Sequence, residues 1–163
     1  QFPFYLQDAT GASASQSGLA LSLTTILYAF ASLLYSRVAA WLDHFQVFVA
    51  AFALVGAGYL LIWSAGGWAL ILLGLSLVGI GLGLLTPNLN VWLADKTPPA
   101  LRGRALGGLT TALFLGRFLS PIVGQPVSAS VGSGGLFLGT GALLLVVAPM
   151  FWVMRNQIRA LTD

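Results

Sequence analysis

The chain has 163 residues, 58% of them hydrophobic and 7% charged, with a formal net charge of +3. A soluble domain carries about 25% charged residues, so this composition does not coat a water-facing surface, and the bilayer is the expected solvent. With no Cys there is no disulfide framework, thiolate metal site or Cys nucleophile; His44 is the sole His, which argues against zinc, and seven basic residues scattered among apolar runs form no nucleic-acid patch.

The chain opens with "QFPFYLQDATGASASQSG". Phe2, Phe4 and Tyr5 form an aromatic cluster that reads as the interfacial end of a helix whose body precedes Gln1. The polar, small stretch Leu6–Gly18 reads as a loop. With neither an initiator Met nor a basic signal region, the chain reads as a fragment. Five mostly apolar runs follow, each near the ~20 residues a membrane helix needs: Leu19–Val38, Phe45–Trp63, Trp68–Trp92, Ala105–Val127 and Leu136–Met154. The breaks are "WLDH", "SAGG", "ADKTPPALRGR" and "SASVGSGG". The expected fold is an all-α membrane protein with five full transmembrane helices and the end of a sixth.

The first run places Thr25, Tyr28, Ser32 and Tyr35 along one helix face, a stripe too polar for lipid. The second and fifth runs have almost no polar side chains and are expected to face lipid. The third carries Gly74, Gly79, Gly81 and Gly83, then Pro87, Asn88 and Asn90, which suggests a tightly packed, kinked helix. Its "GIGLG" lacks the spacing and setting of a dinucleotide fingerprint.

The fourth run holds Arg117 between apolar neighbours. Thr110, Arg117 and Gly124 are heptad-spaced and share a face, with about 20° of drift per heptad. Arg117 lies roughly 20 Å up the helix from the basic loop at ~1.5 Å per residue, past the middle of a hydrocarbon core about 30 Å thick. An arginine there costs at least ~2.5–3.5 kcal/mol on insertion scales, and such residues usually face a bundle interior or a wet cavity. Snorkelling toward the outer headgroups is the alternative. No acidic residue lies within any run to pair with it.

Six of the seven basic residues fall on one side: Arg37, Lys96, Arg102, Arg104, Arg155 and Arg159. The positive-inside rule assigns that side, and the C-terminus, to the cytoplasm. Trp41, Trp63, Trp68, Trp92 and Trp152 lie near run ends, where interfacial anchors belong.

Two stretches then resemble the C-terminal half of a transporter of the major facilitator superfamily (MFS), whose members have twelve helices in two halves of six. In "PPALRGRALGG", Pro99, Arg102, Gly103 and Gly107 match the loop that opens the family's eleventh helix; Asp95 precedes them in the same cytoplasmic loop motif. Gly107, Gly116, Ser120-Pro121 and Gly124 follow a glycine–proline pattern of the family, with Ser in place of one Gly. That pattern is associated with the fifth helix of antiporters, the counterpart of the eleventh. "GIGLGLLTPNLNVW" is similar to many tenth helices. The loop "SRVAAWLDHF" departs from the family's Gly-x-x-x-Asp-Arg-x-Gly-Arg-Arg: Ser36, Ala40 and Trp41 stand for Gly, Asp and Arg. This speaks against a charge-relay gate at Asp43 or Arg37.

The resemblance implies half of an MFS-type bundle, from the end of helix seven through helix twelve, in the bacterial inner membrane. It implies a secondary active transporter working by alternating access, not an enzyme, with no cofactor or metal. Its expected partners are the bilayer, a small-molecule substrate and the missing N-terminal half, and no nucleic acid. Arg117, Tyr28, Thr25, Asn88 and Thr110 would line the substrate pathway; Gly107, Gly116, Pro121 and Gly124 would serve packing and bending. Efflux by proton-coupled antiport is favoured over a sugar or metabolite uptake permease. A non-transporting integral membrane interaction protein is the alternative from another class. Alone, half a cavity has no second wall, so the isolated fragment is expected to be inert.

Overall fold

The computed structural model describes the backbone of residues 13–160 and the side chains of 13–153 apart from Ala14 and Ser133. Phe2, Phe4 and Tyr5, and the side chains of Arg155 and Arg159, lie outside the described residues. The described residues form five helices long and apolar enough to cross a membrane. In hydrocarbon a helix satisfies its own backbone polar groups, which is why apolar runs of this length fold this way.

Helix α1 spans Ala14–Ala39. It begins within the stretch expected as loop, because Ser13 and Gln16 form a reciprocal capping box: Gln16 N donates to Ser13 Oγ at 3.2 Å and Ser13 N donates to Gln16 Oε1 at 2.9 Å. Helix α2 spans His44–Trp63 and opens with the same device, Asp43 accepting from Gln46 N at 2.9 Å. Helix α3 spans Trp68–Lys96 with Pro87 inside it. A 3-10 turn, Pro99–Leu101, then leads into the helical stretch Arg102–Ala160, broken at Gly132. Its limbs are α4, in the candidate span Pro99–Gly132, and α5, in the candidate span Gly134–Val153.

The break between α4 and α5 is much narrower than "SASVGSGG" suggested. Ser128 and Ser130 bond back to the carbonyls of Gln125 and Val127 and stay helical. Gly132 alone leaves the helix, at φ 76° and ψ 159°, a backbone conformation that only glycine adopts cheaply.

Between apolar helices in lipid, association depends on close van der Waals packing, so small residues mark the contacts. Helices α1 and α3 run parallel: a Cβ on Gly79 would fall 2.6 Å from the Thr24 carbonyl oxygen, and one on Gly83 would collide with that of Tyr28. Helices α2 and α3 cross at Gly58 and Gly74, where a Cβ on Gly58 would meet the Gly74 carbonyl oxygen at 2.5 Å. Helix α5 returns antiparallel along α2: Gly141 meets Gly56, and Phe151 stacks on Phe52 with centroids 5.3 Å apart. Two buried clusters result. Ala20, Ile62, Ile71 and Leu75 form one. Ala31, Tyr35, Val47, Ala51 and Leu84 form the other, toward the end that carries Arg37 and Lys96.

This arrangement corrects the expectation for the second run. Helix α2 lies between α3 and α5 and buries Val47, Phe48, Ala51, Val55, Gly56, Gly58 and Ile62. An apolar surface suits a neighbouring helix as well as it suits lipid, so the lack of polar side chains did not place α2 at the periphery. Helix α4 is the opposite case. It buries no residue against the rest of the described chain, and every residue from Thr110 to Val123 is exposed.

Candidate functional site

Arg117 sits midway along this uncovered helix. Its guanidinium lies 5.7 Å from the Phe114 ring centroid, one turn back. A cation over an aromatic face at an exposed site is worth about 0.5–1 kcal/mol. That is well short of the cost of an arginine in hydrocarbon. Among the described residues Arg117 has no ion-pair partner. Thr110, a heptad earlier, is also exposed and turns its hydroxyl to the Leu106 carbonyl at 2.9 Å.

The other residues expected in a pathway are dispersed. Thr25, on α1, is exposed and donates to the Leu21 carbonyl at 2.9 Å. Tyr28 is half-buried beside α3. Asn88 is 0% exposed, and both ends of its amide are engaged. A Cβ added at Gly107 or Gly116 would meet no side chain or neighbouring helix of the described residues within 4 Å, and Pro121 is exposed within an unbroken helical run. Gly124 is half-buried. At the loop, Pro99, Arg102 and Gly103 are exposed, and Arg102 Nε donates to the Thr97 carbonyl at 3.2 Å.

Sequence reasoning missed a polar network that joins three helices among the described residues. Tyr35 from α1, His44 from α2, and Asn88 and Asp95 from α3 meet at one end of the bundle. Tyr35 Oη donates to Asn88 Oδ1 at 3.0 Å, and Asn88 Nδ2 donates to the His44 carbonyl oxygen at 2.9 Å. His44 Nδ1 is 2.9 Å from Asn88 Oδ1, and its Nε2 is 3.5 Å from Asp95 Oδ2. The available signal was the position of four polar residues at the joined ends of three runs. No group of three or more His, Cys, Asp or Glu side chains among the described residues is placed to hold a metal.

A family model described as Major Facilitator Superfamily matches residues 2–161. The chain belongs to this superfamily. MFS-type transporters of Burkholderia mallei and Burkholderia pseudomallei, themselves uncharacterized, are 33% identical to it over 121 residues, covering 73% of this chain and 30% of the relative. A Salmonella typhimurium MFS-type transporter, likewise uncharacterized, is 31% identical over 112 residues, covering 67% of this chain and 29% of the relative. The MFS chain therefore spans about 30% of the length of the curated relatives it matches. No solved structure matches it. The superfamily is one of membrane transporters rather than enzymes, and the five long apolar helices suit part of such a bundle.

Proposed function

We propose that this chain forms the C-terminal half of a secondary transporter that works by alternating access, with α4 lining the substrate pathway. The observation that carries this is the combination on one helix: α4 is uncovered from Thr110 to Val123, and Arg117 stands in the middle of that stretch. A guanidinium in mid-membrane belongs in a wet cavity or against further protein. In many transporters substrates bind near the midplane between two repeats. Arg117 attracts an anionic group of the substrate. Thr110 on the same face, with Thr25 and Tyr28 on α1, adds hydrogen-bonding capacity to the wall. Gly107, Gly116, Pro121 and Gly124 let α4 pack against, and bend with, helices supplied by the other half. Asn88 contributes through the buried network rather than at the wall.

In this reading the end carrying Arg37, Lys96, Arg102 and Arg104 is cytoplasmic, by the positive-inside rule, and the membrane is the bacterial inner membrane. Transport runs outward by proton-coupled antiport, a direction supported by the glycine–proline pattern of α4. The full-length transporter, reconstituted in vesicles, tests all of this by counterflow with a panel of small organic anions and drug-like cations. Exchange of at least one anion is expected, with Arg117→Gln removing it and sparing protein yield. Full exchange activity in Arg117→Gln refutes the assigned role, and uptake without efflux refutes the direction.

A further inference from the structure

The hydrogen bonds at the ends of α1, α2 and α3 constrain which of their atoms donate. A carbonyl oxygen only accepts, so the atom of Asn88 that faces the His44 carbonyl at 2.9 Å is its Nδ2. The amide orientation is thereby fixed, and Asn88 Oδ1 faces both the Tyr35 hydroxyl and His44 Nδ1. An amide oxygen also only accepts, so Nδ1 of His44 carries a proton. In a neutral imidazole the other nitrogen is then a bare lone pair. That nitrogen is Nε2, and it faces Asp95 Oδ2 at 3.5 Å.

With the ring neutral, a lone pair opposes a carboxylate and nothing holds the two together. With a second proton on Nε2, the same two atoms form a charge-assisted pair. The buried half of the network is indifferent to this change, because Nδ1 donates in both states. One proton at one atom therefore switches the contact between the start of α2 and the end of α3. The site is open to protons: the side chains of His44 and Asp95 are 32% and 60% exposed. An imidazole is the side chain that ordinarily changes charge between about pH 5 and 8.

The charged and titratable surroundings come from each neighbouring element. Helix α1 supplies Tyr35, through Asn88, and the exposed Arg37 in its last turn. Helix α3 supplies Asp95 and, next in the chain, Lys96. The turn before α2 supplies Asp43, whose carboxylate caps that helix. The described part of α5 brings Phe151, against Phe48.

We propose that His44 is a proton-operated clasp: protonation of Nε2 draws Asp95 in and tightens the packing of α2 on α3 at this end of the bundle, and deprotonation releases it. That the proton comes from the cytoplasm rests on the orientation proposed above; the clasp itself does not depend on it. The test uses the full-length transporter, with any cysteines outside this segment replaced by serine. Spin labels go at Trp41→Cys, in the turn before α2, and Leu101→Cys, just past α3; these positions are 88% and 48% exposed. The label-to-label distance distribution is read by pulsed electron paramagnetic resonance at about pH 5 and about pH 8. A narrower distribution at the lower pH is expected. It should be lost in His44→Gln and equally in Asp95→Asn, whose exposed carboxylate is dispensable for the buried network. An unchanged distribution in the parent protein overturns the proposal, as does a pH response that survives in either variant. The measurement needs neither substrate nor transport, so it fails or succeeds separately from the transport reading.

Discussion

Tyr35 donates its phenolic proton to Asn88 Oδ1 across 3.0 Å, joining α1 to α3 at a point where Asn88 has no solvent exposure. Buried polar groups left without partners cost about 1–3 kcal/mol each, yet interhelical hydrogen bonds in membrane proteins average only ~0.6 kcal/mol because alternative partners are found in the bilayer.

The difference between those two magnitudes gives the first prediction. Asn88→Leu strips partners from the Tyr35 hydroxyl, from His44 Nδ1 and from the His44 carbonyl together. Tyr35→Phe removes one donor and leaves Asn88 Oδ1 still facing His44. Thermal unfolding of the full-length protein in detergent should therefore show a clearly larger loss for Asn88→Leu than for Tyr35→Phe. The latter should cost about 0.6–2 kcal/mol. Equal effects would mean that Asn88 acts only through Tyr35.

Glycine contacts give a second. Ala at Gly83 puts a Cβ into the Tyr28 carbonyl oxygen, and Ala at Gly58 puts one 2.5 Å from that of Gly74. Backbone must move to admit either, at about 1–3 kcal/mol. Gly116→Ala meets no side chain or neighbouring helix within 4 Å among the described residues and gains the ~0.5–1 kcal/mol by which Ala exceeds Gly inside a helix. Unfolding midpoints should fall for the first two variants. For Gly116→Ala a fall instead of a small rise would reveal a helix from the rest of the transporter seated on that glycine.

What the sequence made legible follows from how lipid acts as solvent. Five apolar runs near 20 residues long were readable because no other structure spans hydrocarbon so cheaply. Which runs pack together was not, because in lipid a Val facing lipid and a Val facing a helix look alike. Helix α2 was misread on that account, although its Ala51, Gly56 and Gly58 carried the better signal. Arg117 stood out because its charge conflicts with its surroundings. Asn88 stood out only as a polar residue in an apolar helix; its partners His44 and Tyr35 lie 44 and 53 positions away in sequence, a distance that no local pattern bridges.

The joint between α4 and α5 supplies a third prediction. Gly132 holds φ at 76°, and nothing lies within 4 Å of a Cβ placed there. The penalty for a side chain is therefore conformational rather than a clash with a neighbour, roughly 1–3 kcal/mol for an L-residue held at positive φ with extended ψ, a region that is essentially glycine's alone. Gly132→Ala should lower the unfolding midpoint, whereas Gly139→Ala, on a regular turn of α5 with equally open surroundings, should not. If the two behave alike, the break lies elsewhere along the "SASVGSGG" stretch.

The last prediction separates two kinds of exposure. Arg117 on α4 is exposed, and Val146 on α5 is 70% exposed, so accessibility within this chain does not distinguish them. Their chemistry does. Val146 is apolar, on a helix whose other side packs on α2, and suits acyl chains. Arg117 is charged, on a helix with no buried residue, and suits water or protein. In the full-length transporter, Arg117→Cys should react with a membrane-impermeant thiol reagent added from one side, and Val146→Cys should resist it from both. The rate at Arg117→Cys should fall when a transported anion occupies the pathway. Protection of Arg117→Cys from both sides, with or without that anion, would remove α4 from the cavity wall. It would leave snorkelling toward the headgroups as the account of the arginine.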